Sequence, residues 1–447
     1  MLTAEVADFA ARLRDEPLPA EIVTHVKRLL LDHLGGVIAA SRYPVARLVA
    51  DYAAVSHAGA DATAVGFGPL SAEGAALVNG TAAHSLEVDD GYTPGSVHPS
   101  AVAFPAVLAA AERHEVSSER LLAGAAVALE LVCRLAASGH PATWRNGFHN
   151  TPLAGVVAAT AGVATVLGLD AGTTEHALGI AGSHAGGLFA FLGQDAEVKR
   201  LHAGKAARDA IASAELASRG LTGPRGVLEG KKGYFEAFTR NDYEPGTLTG
   251  GLGTEWTLLR TYVKPYPCCR HLHGPIDAAL QLRDQGVDRI TKIVVGTYTV
   301  ASHHNASTVD SFLGAQMSIP YAVAVALLCG EVGLAEFGDE TRARRDVLAL
   351  AAKVEVHADP EADAGYPRER PARVTVFAEG RDPASLRVAQ PYGEPGNPVS
   401  DEALEAKFRR LCTPVLGESG VTAAIDAIRE LKDLSFLPGL GEGVVPR

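Results

Sequence analysis

Residues 153–167, LAGVVAATAGVATVL, carry no charge and are apolar on most faces of the helix they would form. Such a helix has no side to offer to water, so it belongs at the centre of a bundle. Residues 118–135 show a similar pattern. Other helical patterns surround them. In residues 21–40, Ile22, Val23, Val26, Leu29, Leu30 and Leu34 recur near a 3.6-residue period. Small-residue runs at 74–83 and 101–113, and a run at 203–218 closed by Gly220, complete the set.

The pattern changes after Thr257. Two prolines break the chain near Lys264, and residues 274–282 read as a helix. Residues 290–300 and 372–377 are rich in β-branched side chains and alternate, which predicts two strands. Residues 318–328 and 340–350 between them read as helices. Helical pattern returns at 401–410 and 421–431. The expected fold class is mainly α: a large all-helical domain from 1–257 plus 396–447, and a smaller α+β lid domain from 258–395. With 447 residues, 47% of them hydrophobic, the chain can bury cores of that size.

Composition narrows the function. A formal charge of −12 argues against nucleic acid or an anionic membrane as partner. The five cysteines form no CxxC pair, which suits a reducing, cytoplasmic setting. The first residues are amphipathic and charged, unlike a signal peptide. No uninterrupted apolar run suggests a membrane span. The glycine-rich pieces match no nucleotide-binding fingerprint, so no nucleotide cofactor is expected.

The chemistry-bearing residues gather in a few segments. Residues 79–100 place Glu87, Asp89, Asp90, His84 and His98 on a Gly/Pro-broken stretch between two helical runs. Acids and histidines on a loop held by rigid helices suit proton transfer. A solvated acidic loop is the plainer reading. His98 stands at a helix start, where the N-terminus favours neutral imidazole and the acidic neighbours favour its protonated form. His149, Lys199 with His202, and Lys264 each stand where a loop meets a helix, a setting that attracts carboxylates. Cys268, Cys269, His271 and His273 share one short segment. Adjacent cysteines chelate zinc poorly and no second pair stands at ligand spacing, so a packed hinge is expected there, and no metal. Nothing is assigned to His303 and His304.

Taken together, NGTAAHSLEVDD with HPSAVAFPAVLAAAE, GFHNTPLAGVVAATAGVATVLGLD, VKRLHAGKAARDAIASAELASRGLTGPRGVLEG, KPYPCCRHLHGPIDAAL and GEPGNPVSDEALEAKF resemble the MmgE/PrpD family. That family includes 2-methylcitrate dehydratase, cis-aconitate decarboxylase and iminodisuccinate epimerase. The resemblance runs over almost the whole chain. It implies a helical domain with an α+β lid, a homodimer, and catalysis without metal or organic cofactor. By motif, His98, His149, Lys199 and Lys264 match residues that line the substrate pocket and bind carboxylates or move protons. Glu87, Asp89, Asp90, Cys269 and His273 are expected to contact substrate.

Two departures turn the expectation away from decarboxylation. The decarboxylase-like pattern has Asp-Phe where this chain has Glu87-Val88, and a histidine where this chain has Cys269. The expected function is a lyase that removes a proton next to a carboxylate. Dehydration of a hydroxylated di- or tricarboxylate stands first and epimerisation of an (imino)dicarboxylate second. A decarboxylase or a non-catalytic carboxylate binder comes after these. His98 is the expected base, oriented by Glu87, Asp89 and Asp90, in a pocket shared with His149, Lys199 and Lys264.

Overall fold

The computed structural model describes residues 1–191, 196–366 and 368–440. The fold is mainly α, with a small sheet region. Two compact units divide it. The larger comprises Met1–Ser85, Asp89–Thr261 and Ser400–Arg447, and the smaller Leu86–Val88 and Tyr262–Val399. Sequence pattern alone puts residues 86–88 with the helices. The structure puts them in the smaller unit, where Gln316 Nε2 donates to the Leu86 carbonyl at 2.9 Å.

In the larger unit, Ser118–Gly139 and Asn150–Leu167 pack together and are buried along almost their whole length. Both are long and apolar enough to cross a membrane, which the sequence reading did not register. Their burial inside this unit accounts for that composition. Glycine sets their spacing. A Cβ on Gly162 would sit 2.5 Å from the Gly124 carbonyl oxygen, so the two backbones touch directly. The same device recurs where Ala72–Ala83 crosses Val198–Ser218. A Cβ on Gly204 would sit 2.1 Å from the Leu77 carbonyl oxygen, and one on Gly80 would sit 2.7 Å from Gly204 Cα.

This unit also holds a feature that the sequence reading lacked. Ala62–Ala64 and Gly68–Leu70 form a short antiparallel pair. The buried Asn79 side chain fixes it, accepting from Val65 N–H and donating to the Thr63 carbonyl, both at 2.9 Å. The segment Asp401–Glu430 holds the two C-terminal helices, parted at Gly417, whose φ of 67° is not helical. It packs on Ala20–Ala40, and the buried pair Lys407 Nζ–Asp32 Oδ1 at 2.5 Å ties them together.

The smaller unit is built on a four-stranded sheet in the order Val354–Ala358, Ile290–Thr297, Ala372–Ala378, Ala384–Val388. Only the first pairing is parallel. The two strands read from sequence are the central ones. The flanking strands are short and part-exposed, so their pattern is weak. The strand foreseen at 290–300 stops at Thr297, because Asp363 captures Thr299 N–H at 2.7 Å and starts the helical turn Thr299–Ser302. The helix foreseen at 340–350 is two pieces, Asp339–Arg342 and Arg345–Ala351. Ile293, Val295, Val374 and Val376 form one core with residues of His273–Gln281 and Ile319–Cys329.

Gly204→Ala tests the helix crossing. The added methyl group meets backbone, which cannot turn aside. Stability should fall by about 1–3 kcal/mol or more, read as a shift in the urea midpoint. An unchanged midpoint would show that the helices separate without cost.

Candidate functional site

Within the larger unit, the chain from Ala83 to Ser100 is folded by its own polar side chains. His84 caps Ala72–Ala83, and its Nδ1–H donates to Asp89 Oδ2 at 2.6 Å, both residues being buried. Asp90 faces the start of the next helix, Ser100–Arg113. Its Oδ1 accepts Ser100 N–H at 3.1 Å and its Oδ2 the Ser100 hydroxyl at 2.8 Å. Carboxylates suit a helix N-terminus. Even so, burial pushes the Asp90 carboxyl up to about 8. The Ser100 bonds oppose that rise, and Asp89 and Asp32 add to it.

His98 lies between these acids. Its Nδ1–H donates to the Asp90 carbonyl at 2.7 Å, and Asp89 Oδ2 stands 3.4 Å from the same nitrogen. A carbonyl only accepts, so in the neutral ring the proton is on Nδ1 and the lone pair on Nε2. The His98 side chain is 17% exposed, whereas His84 is 1% exposed, so His98 is the one of the two that solvent or a ligand can reach.

His149 N-caps Asn150–Leu167, and its own N–H donates to the Gly187 carbonyl at 3.0 Å. Its ring is stacked on His84 at 5.7 Å between centroids, and its Nδ1 lies 3.1 Å from His202 Nδ1. His202 and Lys199 come from the first turns of Val198–Ser218 and are buried. Burial, then the neighbouring His84, His202, Lys199 and His98, holds His149 well below the usual histidine range. Burial, then His84, Lys205 and Lys199, brings His202 down to about 4. Two neutral rings fit the short contact, since one donates and the other accepts. Four imidazoles thus form one contiguous group, His98 against His84, His84 against His149, and His149 against His202. His98, His149 and Lys199 belong to this unit, as do Asp89 and Asp90. His84 and His202 are members that the sequence reading named without assigning them a role. Their signal was position, each lying within a turn of an assigned residue.

Glu87 belongs to a different unit from Asp89 and Asp90. In the smaller unit its Oε2 accepts from Lys264 Nζ at 3.1 Å, with both side chains buried. Its backbone is left-handed, φ 57°, a strained conformation for a residue with a Cβ. His273 is fully buried. Its Nδ1 accepts from Arg270 Nη1 at 2.7 Å, and its Nε2–H donates to the Cys268 carbonyl at 3.3 Å. Arg270 also donates to Glu394 and lies over the Tyr262 ring. His273 therefore orients Arg270. Cys268 is a core residue, whereas Cys269 is half-buried and hydrogen-bonded to His304.

The MmgE/PrpD N-terminal domain matches residues 4–245, and the C-terminal domain matches residues 266–433. The chain belongs to the MmgE/PrpD family. Among its relatives is a cis-aconitate decarboxylase-like protein of Aspergillus oryzae, 28% identical over 99% of this chain and 97% of that protein. The cis-aconitate decarboxylase of Aspergillus terreus is 27% identical over 99% and 95%. That of Homo sapiens is 29% identical over 100% and 95%. These MmgE/PrpD relatives carry the expectation of a lyase. They do not carry the preference for a dehydratase, since all three bear the name of a decarboxylase. The imidazole group and Lys199 lie within the MmgE/PrpD N-terminal match, and Cys269 and His273 within the C-terminal match.

Two measurements check the electrostatics. Removing one half of a buried pair costs about 3–5 kcal/mol, so Lys264→Ala should lower the urea midpoint strongly, and more than Lys264→Met with Glu87→Gln. Equal losses would mean that the pair's charge is unimportant. For Asp90, the folded carboxyl keeps its proton to about pH 8, whereas an unfolded aspartate loses it near pH 4. Between those values the native state binds the extra proton, so stability falls as pH rises, by up to about 1.4 kcal/mol per unit. The loss is absent below the unfolded value and complete above the folded one. Asp90→Asn should flatten that part of the stability–pH curve. An unchanged slope would place the proton elsewhere.

Proposed function

We propose that this chain is a lyase for a di- or tricarboxylate, and that it acts as a decarboxylase of the cis-aconitate class. The observation that carries the reading is the group of His84, His98, His149 and His202 beside Asp89, Asp90 and Lys199, on a chain matched end to end by decarboxylases. In decarboxylation the bond to the departing carboxylate breaks and carbon dioxide leaves. The electron pair stays on carbon and spreads into the neighbouring unsaturated carboxylate. A proton then closes that carbon. The residues need only hold carboxylates and deliver one proton.

His98 is assigned the proton transfer. Its Nδ1–H is anchored on the Asp90 carbonyl, which aims Nε2 away from the anchor, and the Asp89 carboxylate at 3.4 Å favours the imidazolium form. Lys199 is assigned to a substrate carboxylate. His149, kept neutral by burial, contributes hydrogen bonds without adding charge. His273, expected to contact substrate, also positions Arg270.

A second reading, dehydration of a hydroxylated tricarboxylate, rests on Glu87 and Cys269, which depart from the decarboxylase-like pattern. There the proton is removed from carbon and hydroxide leaves as water. Incubation with cis-aconitate or citrate in deuterated water, followed by NMR, separates the two. Decarboxylation releases one carbon dioxide per product and places deuterium on the protonated carbon. Dehydration releases none.

His98→Asn should lower turnover by about 10² or more with little change in KM. Lys199→Ala should chiefly raise KM. If His98→Asn turns over normally while Lys199→Ala abolishes deuterium incorporation at saturating substrate, lysine moves the proton and the assignment is reversed.

A further inference from the structure

Three soft or borderline donors meet in the smaller unit. Cys269 Sγ and one ring nitrogen each of His271 and His304 lie within 4.8 Å of one another. Two come from the turn before His273–Gln281 and the third from beyond the turn Thr299–Ser302. Backbone bonds fix both pieces. Cys269 N–H donates to the Gln316 carbonyl, and the His304 carbonyl accepts from Ile319 N–H, each at 2.9 Å. The two rings lie 5.3 Å apart and 28° from parallel. All three side chains are half-buried, so an ion could reach them.

The neighbours of the rings set their lone pairs. His304 Nδ1 is 3.0 Å from the Met317 carbonyl, which can only accept. The proton therefore sits on Nδ1, and the neutral ring presents its lone pair at Nε2. A backbone carbonyl behind a ring is the usual outer support of a metal-binding histidine. His271 Nδ1 contacts the Tyr298 hydroxyl and accepts from Arg370 Nη1 at 3.4 Å, so an ion at Nε2 requires the ring proton to move to Nδ1 and be donated to the Tyr298 oxygen. Cys269 Sγ is hydrogen-bonded to the His304 ring, and a bound ion would take the place of the proton they share.

We propose that Cys269, His271 and His304 form a three-ligand site for a soft divalent cation of the zinc class, with a fourth position open to water or a carboxylate oxygen. A thiolate with two neutral imidazoles is a donor set that such ions favour. A tetrahedral zinc ion holds its donors roughly 3.3–3.6 Å apart, so the group must close by about an ångström, which rotation of the Cys269 side chain can supply. The assigned proton transfer and carboxylate binding use none of the three ligands; Cys269 alone enters the second, dehydratase reading.

The test uses the full chain, stripped with a chelator, dialysed and titrated with Co²⁺. One equivalent should produce thiolate-to-cobalt charge-transfer absorption in the near ultraviolet, and Zn²⁺ should displace it. Cys269→Ser should abolish the band, and His304→Gln should weaken binding by about tenfold or more. A measurement without variants stands beside this. Zn²⁺ should slow iodoacetamide alkylation of Cys269, read by peptide mass, and leave the half-buried Cys329 at its own rate. A band that survives in Cys269→Ser overturns the proposal. So does the absence of any band in folded wild-type protein, or alkylation of Cys269 indifferent to Zn²⁺; the three side chains would then be a thiol–imidazole pair exchanging a proton, with no ion.

Discussion

The direct contact of two helix backbones at Gly80 and Gly204 governs the geometry of the imidazole group. His84 stands about one turn beyond Gly80, and His202 and Lys199 stand in the turns just before Gly204. Any side chain at the crossing would push the helices apart by the width of a methyl group or more. The ring contacts that link His84 to His149 at 5.7 Å and His149 to His202 at 5.3 Å have no such slack. The alanine- and glycine-rich composition is therefore the condition for bringing side chains from separate helices into one group.

Burial then sets the charge state of that group, and it acts on acids and bases in opposite directions. It raises Asp90 to about 8 and depresses His149 and His202, so each is kept in its neutral form near pH 7. The Asp90 carboxyl meets the Ser100 hydroxyl and His149 meets His202, so these contacts are made without burying a net charge. Asp89 differs, since His84 Nδ1–H donates to it while His98 stands 3.4 Å away.

The helices were legible because burial on all faces leaves a plain mark on composition, as in residues 153–167. The central strands were legible because Ile290–Thr297 and Ala372–Ala378 carry β-branched residues. What escaped depends on long-range pairing. The strand pair Ala62–Ala64 and Gly68–Leu70 rests on the Asn79 side chain and not on its own pattern. At the site, His98, His149 and Lys199 could be named because each stands where a loop meets a helix. Cys269 with His271 and His304 could not, because ligand spacing along a chain cannot register a donor that arrives from more than thirty residues away.

The acidic segment shows how far local composition can mislead. Glu87, Asp89 and Asp90 look like one acidic cluster in sequence, yet the structure gives each carboxyl group a different hydrogen-bond donor. Glu87 turns to Lys264 through a left-handed backbone, Asp89 accepts from His84, and Asp90 caps the helix that starts at Ser100. Three carboxylates sharing one partner would repel one another and raise one another's proton affinity. Separate partners lessen that repulsion without ending it, since Asp89 still adds to the rise at Asp90. The strained backbone at Glu87 is what makes the first of those separations, and its buried partner Lys264, with Gln316 holding the Leu86 carbonyl, is what sustains the strain.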